Sequence, residues 1–139
     1  MIEARGEREI VLRMVDGEDL LASLLSVSAN SAVIVGGVGM VRDVLLGYWN
    51  GVEYEEHAVS EPAELLAMQG NLARLDGEPI VHGHLTVARR DGTLTGGHLI
   101  AATVANTAEV VLGLCKGIVL ERKAEPPGLA GLYPRTEDG

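Results

Sequence analysis

The sequence predicts an α+β fold, in which a mostly antiparallel β-sheet carries a few packed helices. About eight segments are rich in β-branched or aliphatic residues, two segments have helical signals, and tight turns rather than long crossovers join successive strands. The chain has 139 residues, which is the length of one domain. Because 47% of the residues are hydrophobic while the aromatic residues are one Trp, three Tyr and no Phe, we expect an aliphatic core.

The first third of the chain predicts a strand, a helix and a second strand. Glu9–Val15 is short and β-branched, which is typical of a strand. Asp16 follows and suits the cap of a helix, in which the four leucines between positions 20 and 25 recur at helical spacing on one face. We expect this helix to run to about residue 29. Residues 31–38 are β-branched and glycine-rich and predict a buried strand.

A hairpin and a second helix are expected next. Residues 40–49 and 52–59 flank Asn50-Gly51, a dipeptide that strongly favours a tight hairpin turn. Ser60 suits a helix cap, a proline stands in the first turn, and Gly70 suits the end of the helix. Leu65, Leu66 and Met68 would supply the apolar contacts of this helix.

The second half of the chain predicts further strands and a tail. Turn signals separate these strands at Asp76-Gly77 and at residues 90–92, and Asn106-Thr107 is expected to break the chain again. The strand candidates are 72–75, 79–89, 93–104, 108–114 and 117–121. We divide the chain into a single domain of residues 1–124 and a Pro-, Gly- and charge-rich tail of residues 125–139, which we expect to be frayed or to lie on the surface.

Three histidines carry the clearest chemical signal. Residues two apart in a strand point to the same side, so His82 and His84 share a face. If residues 90–92 form a three-residue loop, Arg89 pairs with Thr93, and the numbers of any two residues paired across the strands sum to 182. His84 then lies directly opposite His98, with Cβ atoms about 5 Å apart. A two-residue loop would instead place His98 on the core face.

Three neutral imidazoles suit zinc, iron or another divalent transition metal, and three protein ligands leave a position for water or substrate. We therefore predict a metal site at His82, His84 and His98. The alternative is a polar face of a half-exposed strand without a ligand. His57 lies in a charged strand and is expected to be a surface histidine, with a remote fourth ligand as the alternative.

Charge and cysteine content limit the class of protein. The formal net charge is −9 and the pI is about 4.8, which argues against a broad phosphate-binding face and leaves room only for a local basic patch. Arg89-Arg90 and Arg122-Lys123 are the adjacent basic pairs. One cysteine, Cys115, permits no intrachain disulfide, and the charged first residues do not form a signal peptide. We expect a soluble cytoplasmic protein with no membrane segment.

The motifs around the histidines resemble the PPC family, the plant and prokaryote conserved domain. The order H-x-H, then D-G-x-x-x-G-G-H-L, then T-x-E-V is fairly specific in combination, and the similarity extends from about residue 5 to about residue 122. The segments that carry it are residues 61–71, 77–84, 91–99 and 107–111.

The resemblance implies an α+β fold with a central antiparallel sheet, a homotrimer and a DNA-binding label. Plant members join this domain to an AT-hook, a segment of the Arg-Gly-Arg-Pro type, and no such segment occurs in these 139 residues. The chain is most similar to stand-alone prokaryotic members, which keep the histidines. Carried over here, the resemblance implies a metal or small-ligand site at His82, His84 and His98.

The sequence and the resemblance together suggest three alternative functions. The favoured one is a homotrimeric module that binds a divalent metal or a small ligand through the three histidines. The first alternative is a DNA-binding, transcription-associated regulator, which the charge disfavours. The second is a metal-dependent enzyme, whose general base would be Glu109 or Glu56. Neither spacing forces those carboxylates close to the histidines, so a binding module is favoured over an enzyme.

Overall fold

The regular secondary structure is almost entirely β-strand. The computed structural model describes residues 1–138, which form nine strands and one short helix. The strands are β1 (Ile2–Arg5), β2 (Glu9–Val15), β3 (Ala32–Trp49), β4 (Tyr54–Val59), β5 (Ala63–Leu75), β6 (Glu78–Ala88), β7 (Leu94–Leu114), β8 (Ile118–Glu125) and β9 (Leu129–Thr136). The helix is α1 (Leu20–Leu25). The predicted α+β fold with packed helices is therefore wrong, because one helix of six residues is the whole helical content of residues 1–138.

Four strands close into a ring. β3 pairs with β5, β5 with β6, β6 with β7, and β7 again with β3, all antiparallel. The ring closes because β3 and β7 are long, with 18 and 21 residues, and each pairs with three strands along its length. β2 extends the sheet beside β7, and β4 lies beside β3. The arm of β8 and β9 joins the sheet by a short parallel pairing of β8 with β5.

The core is aliphatic, as predicted. Alternate residues of β2, namely Ile10, Leu12 and Met14, are fully buried. On β6 the expected core stripe is present, since Leu85 and Val87 are buried and Val81 is partly buried against the core. The interior is thus filled by side chains of low polarity that alternate along twisted strands.

The first predicted helix is shorter than expected. It begins after Asp19, whose carboxylate accepts a hydrogen bond from the backbone N–H of Ala22 at 2.8 Å. Asp16 is not the cap. Its carboxylate instead accepts bonds from Arg42 and from the backbone N–H of Asn106, and Gly17 turns the chain at a φ of 88°. The leucines at positions 20 and 24 still bury one face of the helix.

The second predicted helix is wrong, because residues 63–75 form β5 between β3 and β6. A register shift between Leu65 and Ala67 interrupts the alternation of the strand. Leu65, Met68 and Leu72 consequently point inward at a spacing of three and four residues, which mimics a helix. Pairing with two neighbouring strands outweighs the helix-favouring composition of this segment.

Other local predictions are confirmed or corrected by the strand pairing. β2 and the turn at Asp76-Gly77 lie where they were predicted. The hairpin at Asn50-Gly51 is also present, but its loop spans residues 50–53, so β4 begins at Tyr54 rather than at residue 52. The expected break at Asn106-Thr107 is wrong, since β7 continues through it with Asn106 at a φ of 65°. Ala32–Trp49 likewise forms one irregular strand rather than two.

The C-terminal segment contains β9, which pairs along β8. The division into a domain of residues 1–124 and a tail of residues 125–139 stays a prediction, and Gly139 lies outside the described residues. Over residues 1–138, no helix has the length and hydropathy needed to cross a membrane.

Candidate metal centre

The hairpin of β6 and β7 brings His84 and His98 opposite each other. The backbone N–H of Arg89 donates to the carbonyl of Thr93, and Gly92 adopts a φ of 86° in the loop. The loop therefore has three residues, and the paired positions from Ala88 and Leu94 onward place His84 against His98. This register is the predicted one.

His82, His84 and His98 form one cluster. The ring centroids of His82 and His84 lie 4.9 Å apart, and that of His98 lies 5.3 Å from His82 and 5.7 Å from His84. Nε2 of His82 and Nε2 of His84 are 3.2 Å apart. Each histidine offers one nitrogen, and these three atoms all lie within 4.8 Å of one another.

Tyr54 covers His98 from β4. Its ring stacks on the imidazole with a centroid separation of 4.5 Å and an interplanar angle of 20°. This packing needs glycine at position 47, where a Cβ would lie 2.7 Å from the Tyr54 ring. Since Gly47 pairs with His98 across β3 and β7, a side chain there would push Tyr54 away from the cluster.

Arg122 reaches His82 from β8. One of its terminal nitrogens, Nη2, donates to Oδ1 of Asn71 at 2.8 Å and lies 3.3 Å from Nδ1 of His82, while Nη1 donates to the carbonyl of Ala130 at 2.7 Å. A guanidinium has no acceptor, so Nδ1 of His82 is the acceptor in this contact. A neutral His82 ring then carries its proton on Nε2, the nitrogen that faces His84.

Burial and charge favour the neutral forms of His82 and His98. Burial, Arg122 and the other two histidines lower the pKa of His82 from 6.5 to about 4. Burial, His84 and Arg122 also lower the pKa of His98. Metal ions bind neutral imidazole, so these shifts favour the protonation state that a ligand needs near neutral pH.

The donor set fits a divalent transition metal. Two nitrogens on a tetrahedral zinc ion lie about 3.3 Å apart, given Zn–N bonds of about 2.0–2.1 Å; the two Nε2 atoms lie 3.2 Å apart. Nδ1 of His98 is buried and lacks a hydrogen-bond partner, which is rare in native proteins and which a metal ion would correct. Three imidazoles without a fourth protein ligand would leave a coordination position open.

Other residues that the sequence singled out lie outside the cluster. His57 is exposed on β4 and contacts the hydroxyl of Thr95 at 3.3 Å. Glu56 pairs with Gly47, and Glu109 pairs with Arg13 and Val38. Within residues 1–138, the cluster that could hold a metal contains histidines and no carboxylate.

Sequence reasoning missed Tyr54, Asn71 and Arg122. Tyr54 and Arg122 reach the histidines from β4 and β8, so their positions depend on strand pairing over long sequence distances. Asn71 pairs directly with His82 across the β5–β6 hairpin, so the predicted turn at Asp76-Gly77 could have placed it. Arg122 was counted as half of a basic pair. Its burial separates it from Lys123, since Arg122 is 8% exposed.

Comparisons with known proteins place the chain in a family. Fold and site together define a small β domain with a three-histidine cluster. A sequence model of the Plants and Prokaryotes Conserved (PCC) domain matches residues 1–116. The chain belongs to this family, and the resemblance that the histidine motifs indicated is confirmed.

Solved structures share the fold over nearly the whole chain. A plant- and prokaryote-conserved protein from Pyrococcus horikoshii matches with a TM-score of 0.84 and 31% identity, over 95% of this chain and 94% of that chain. A metal-containing protein from Archaeoglobus fulgidus matches with a TM-score of 0.82 and 28% identity, over 95% and 96%. A protein from Bacteroides thetaiotaomicron, provisionally described as DNA-binding, matches with a TM-score of 0.88 over 95% and 96%, and its 20% identity shows the fold alone.

A curated relative is much longer than this chain. The bifunctional protein GlmU of Synechococcus sp. strain JA-2-3B'a(2-13) is 32% identical over 120 residues. This match covers 83% of the chain but 18% of the relative. The chain thus spans about a fifth of that protein's length, and the activity of the whole relative says nothing direct about this domain.

Proposed function

We propose that this chain binds a divalent transition metal, with zinc as the first candidate, through His82, His84 and His98. The observation that carries the proposal is the convergence of three imidazoles, whose ligand nitrogens lie within 4.8 Å of one another. Similarity to the metal-containing protein of Archaeoglobus fulgidus, at 28% identity, supports it. Iron or another divalent metal suits the same nitrogen ligands.

The residues around the histidines would orient the ligands. Tyr54 restrains the His98 ring by stacking, and strand pairing fixes the separation of His84 and His98. A metal supplies Lewis acidity at its open position when bound. Within the described residues the cluster contains no carboxylate that could act as a general base. We therefore propose a binding function and no catalytic one.

We also propose that the chain is a homotrimer. An exposed apolar face on β2, β3 and β7 supports this assembly. Val11, Val33 and Val35 are exposed there, and the side chains of Val33 and Val35 meet above Gly113. Val11 pairs with Val111, which continues the same face. Contiguous exposed valines are typical of a subunit interface rather than of a monomer surface. Light scattering tests the assembly, and a mass near 14.7 kDa would contradict it.

DNA binding is the weaker alternative. The resemblance to the family implies it, but the charge of −9 opposes it. In each basic pair one arginine is not free to contact phosphate, because Arg89 forms an ion pair with Glu61 at 2.7 Å and Arg122 is buried. We expect no gel shift of duplex DNA at low salt; a shift that weakens steeply with added salt would favour this alternative instead.

The metal proposal is tested by unfolding the protein with and without zinc. A ligand at about 100 times its Kd stabilises the folded state by about 2.7 kcal/mol, which raises Tm by several degrees. We expect this rise for the wild type and for His57→Ala, which alters a histidine outside the cluster. His84→Ala should lose it, since His84 is exposed and its removal leaves the core intact. An equal rise in His84→Ala would overturn the proposal.

A further inference from the structure

Arg122 is a buried cation without a carboxylate partner. It is 8% exposed and is the one charged side chain among residues 1–138 that is buried. Its hydrogen bonds go to the amide oxygen of Asn71, the carbonyl of Ala130 and Nδ1 of His82, which are all neutral acceptors. Its Nε is buried and has no partner. Charges of this kind are almost always paired or bound to an anion.

A metal ion in the cluster would add to this excess of positive charge. Three imidazoles are neutral ligands, and the cluster contains no Asp or Glu within the described part of the chain. Arg122 lies 3.3 Å from His82, so the ion and the guanidinium would repel each other across one imidazole ring. An anion bound to both the metal and Arg122 would offset this repulsion.

The metal and Arg122 also compete for His82. With Arg122 donating to Nδ1, a neutral ring holds its proton on Nε2. Coordination through Nε2 requires this proton to move to Nδ1, and Arg122 must then give up its contact. The released N–H group becomes available to an anion that binds beside the metal.

A cavity of ≈ 330 Å³ adjoins Arg122 and the cluster and defines the class of anion. His82, His98 and Arg122 line one part of it, while much of the remaining wall is apolar. Glu125 also lines this cavity, and its carboxylate disfavours highly charged anions such as phosphate. The apolar part of the wall is formed by Tyr54, Ile80, Val81, Leu129 and Ala130.

We propose that the cluster binds a small aliphatic carboxylate, held between the metal and Arg122 with its alkyl part in the adjoining cavity. This inference rests on the proposed metal function and names the class of ligand that completes it. Because binding free energies are reciprocal, the carboxylate must raise the affinity for zinc by the same factor by which zinc raises the affinity for the carboxylate.

The test is to titrate the full chain with zinc in a calorimeter, with and without butyrate, and to compare the two Kd values for zinc. We expect butyrate to lower the Kd for zinc by about fivefold or more, the lower end of typical couplings. Butyramide, which has the same shape without the charge, should have no effect. Phosphate should act less strongly than butyrate because of Glu125. An equal effect of butyramide, no effect of butyrate, or a stronger effect of phosphate would overturn the inference.

Variants of Arg122 locate the effect. Arg122→Gln keeps hydrogen-bond donors but loses the charge, so the butyrate effect on the Kd for zinc should disappear. Arg122→Lys restores the charge and should recover part of the effect. This recovery would show that the loss in Arg122→Gln comes from the missing charge and not from misfolding. Arg135→Gln removes an exposed arginine that pairs with Glu121 on the same arm and should leave the effect unchanged. A butyrate effect that persists in Arg122→Gln would overturn the inference.

The two proposals fail in different ways. If the wild type binds zinc in a manner that depends on His84 but ignores butyrate, the metal function stands and the carboxylate inference falls. If the wild type binds no zinc in either buffer, the metal function falls and the inference falls with it.

Discussion

Gly70 on β5 holds the strand beside His82. Its φ is 150°, and a Cβ there would overlap the backbone carbonyl of His82 on β6. We expect Gly70→Ala to destabilise the fold by about 2–4 kcal/mol, because backbone strain and overlap act together. Urea unfolding measures this loss. Gly36→Ala is the matched control, since open space surrounds Gly36, and an equal loss in both variants would contradict the close approach at Gly70.

The lowered pKa of His82 makes the stability of the metal-free protein depend on pH. Burial and Arg122 hold this pKa at about 4 in the folded state, whereas the ordinary value is 6.5. The unfolded chain therefore takes up the proton first as the pH falls. Stability is fully present above about pH 6.5 and is lost progressively as the pH falls through about 4.

Comparison of variants isolates this contribution from that of the carboxylates. Unfolding of metal-free protein between about pH 7 and about pH 4 should show a smaller loss of stability for His82→Asn than for the wild type. Val52→Asn, in the exposed turn between β3 and β4, should keep the wild-type pH dependence. Identical curves for His82→Asn and the wild type would show that His82 does not titrate as its surroundings indicate.

Part of the candidate site could be predicted from the sequence because it depends on local geometry. For a three-residue loop, the period of two residues along a strand predicted His84 opposite His98 and beside His82, and the structure contains that loop. The two-residue alternative could not be excluded from the sequence. Arg122 and Tyr54 could not be placed in this way. They reach the cluster from β8 and β4 through pairings with distant strands, which no local pattern in the sequence specifies.

At the scale of elements, β5 shows why the predicted fold class was wrong. Helix-favouring residues and an apolar spacing of three and four occur in a strand that contains a register shift. Tight turns and β-branched runs were better guides, since β2 and the turn at Asp76-Gly77 lie where they were predicted. The turn chemistry is fixed by a few neighbouring residues, whereas the state of β5 depends on two partner strands.

Two adjacent leucines on β5 distinguish the strand from the predicted helix. Leu65 is 2% exposed, while Leu66 is 48% exposed on the other face. Leu65→Ala should cost about 2–4 kcal/mol of unfolding free energy, and Leu66→Ala about 0.5 kcal/mol or less. Chemical denaturation of both variants checks this difference. In the predicted helix both leucines make apolar contacts, so comparable losses would favour that helix.

At the scale of the whole molecule, the exposed apolar face formed by Val11, Val33 and Val35 links the fold to the proposed trimer. Val35 is 61% exposed on this face, so Val35→Glu should leave the monomer folded but prevent its assembly. Light scattering should give a mass of about three times 14.7 kDa for the wild type and about 14.7 kDa for the variant. Val52→Glu, in the exposed turn between β3 and β4, is the control that should remain a trimer. A trimeric Val35→Glu would exclude this face as the interface.

The whole-molecule charge also bears on function. A net charge of −9 surrounds a cluster that contains no carboxylate of its own, so the acidic exterior attracts cations while the interior ligands remain neutral. This distribution fits a protein that binds a metal ion better than one that binds phosphate backbones.

Elemental analysis of the purified chain tests the central claim most directly. The three-histidine cluster predicts about one zinc or other divalent transition-metal ion per chain, and it predicts loss of that ion in the double variant His82→Ala, His84→Ala. His57→Ala should retain the metal. Wild-type protein that contains no such metal and takes up none from added zinc would contradict the account.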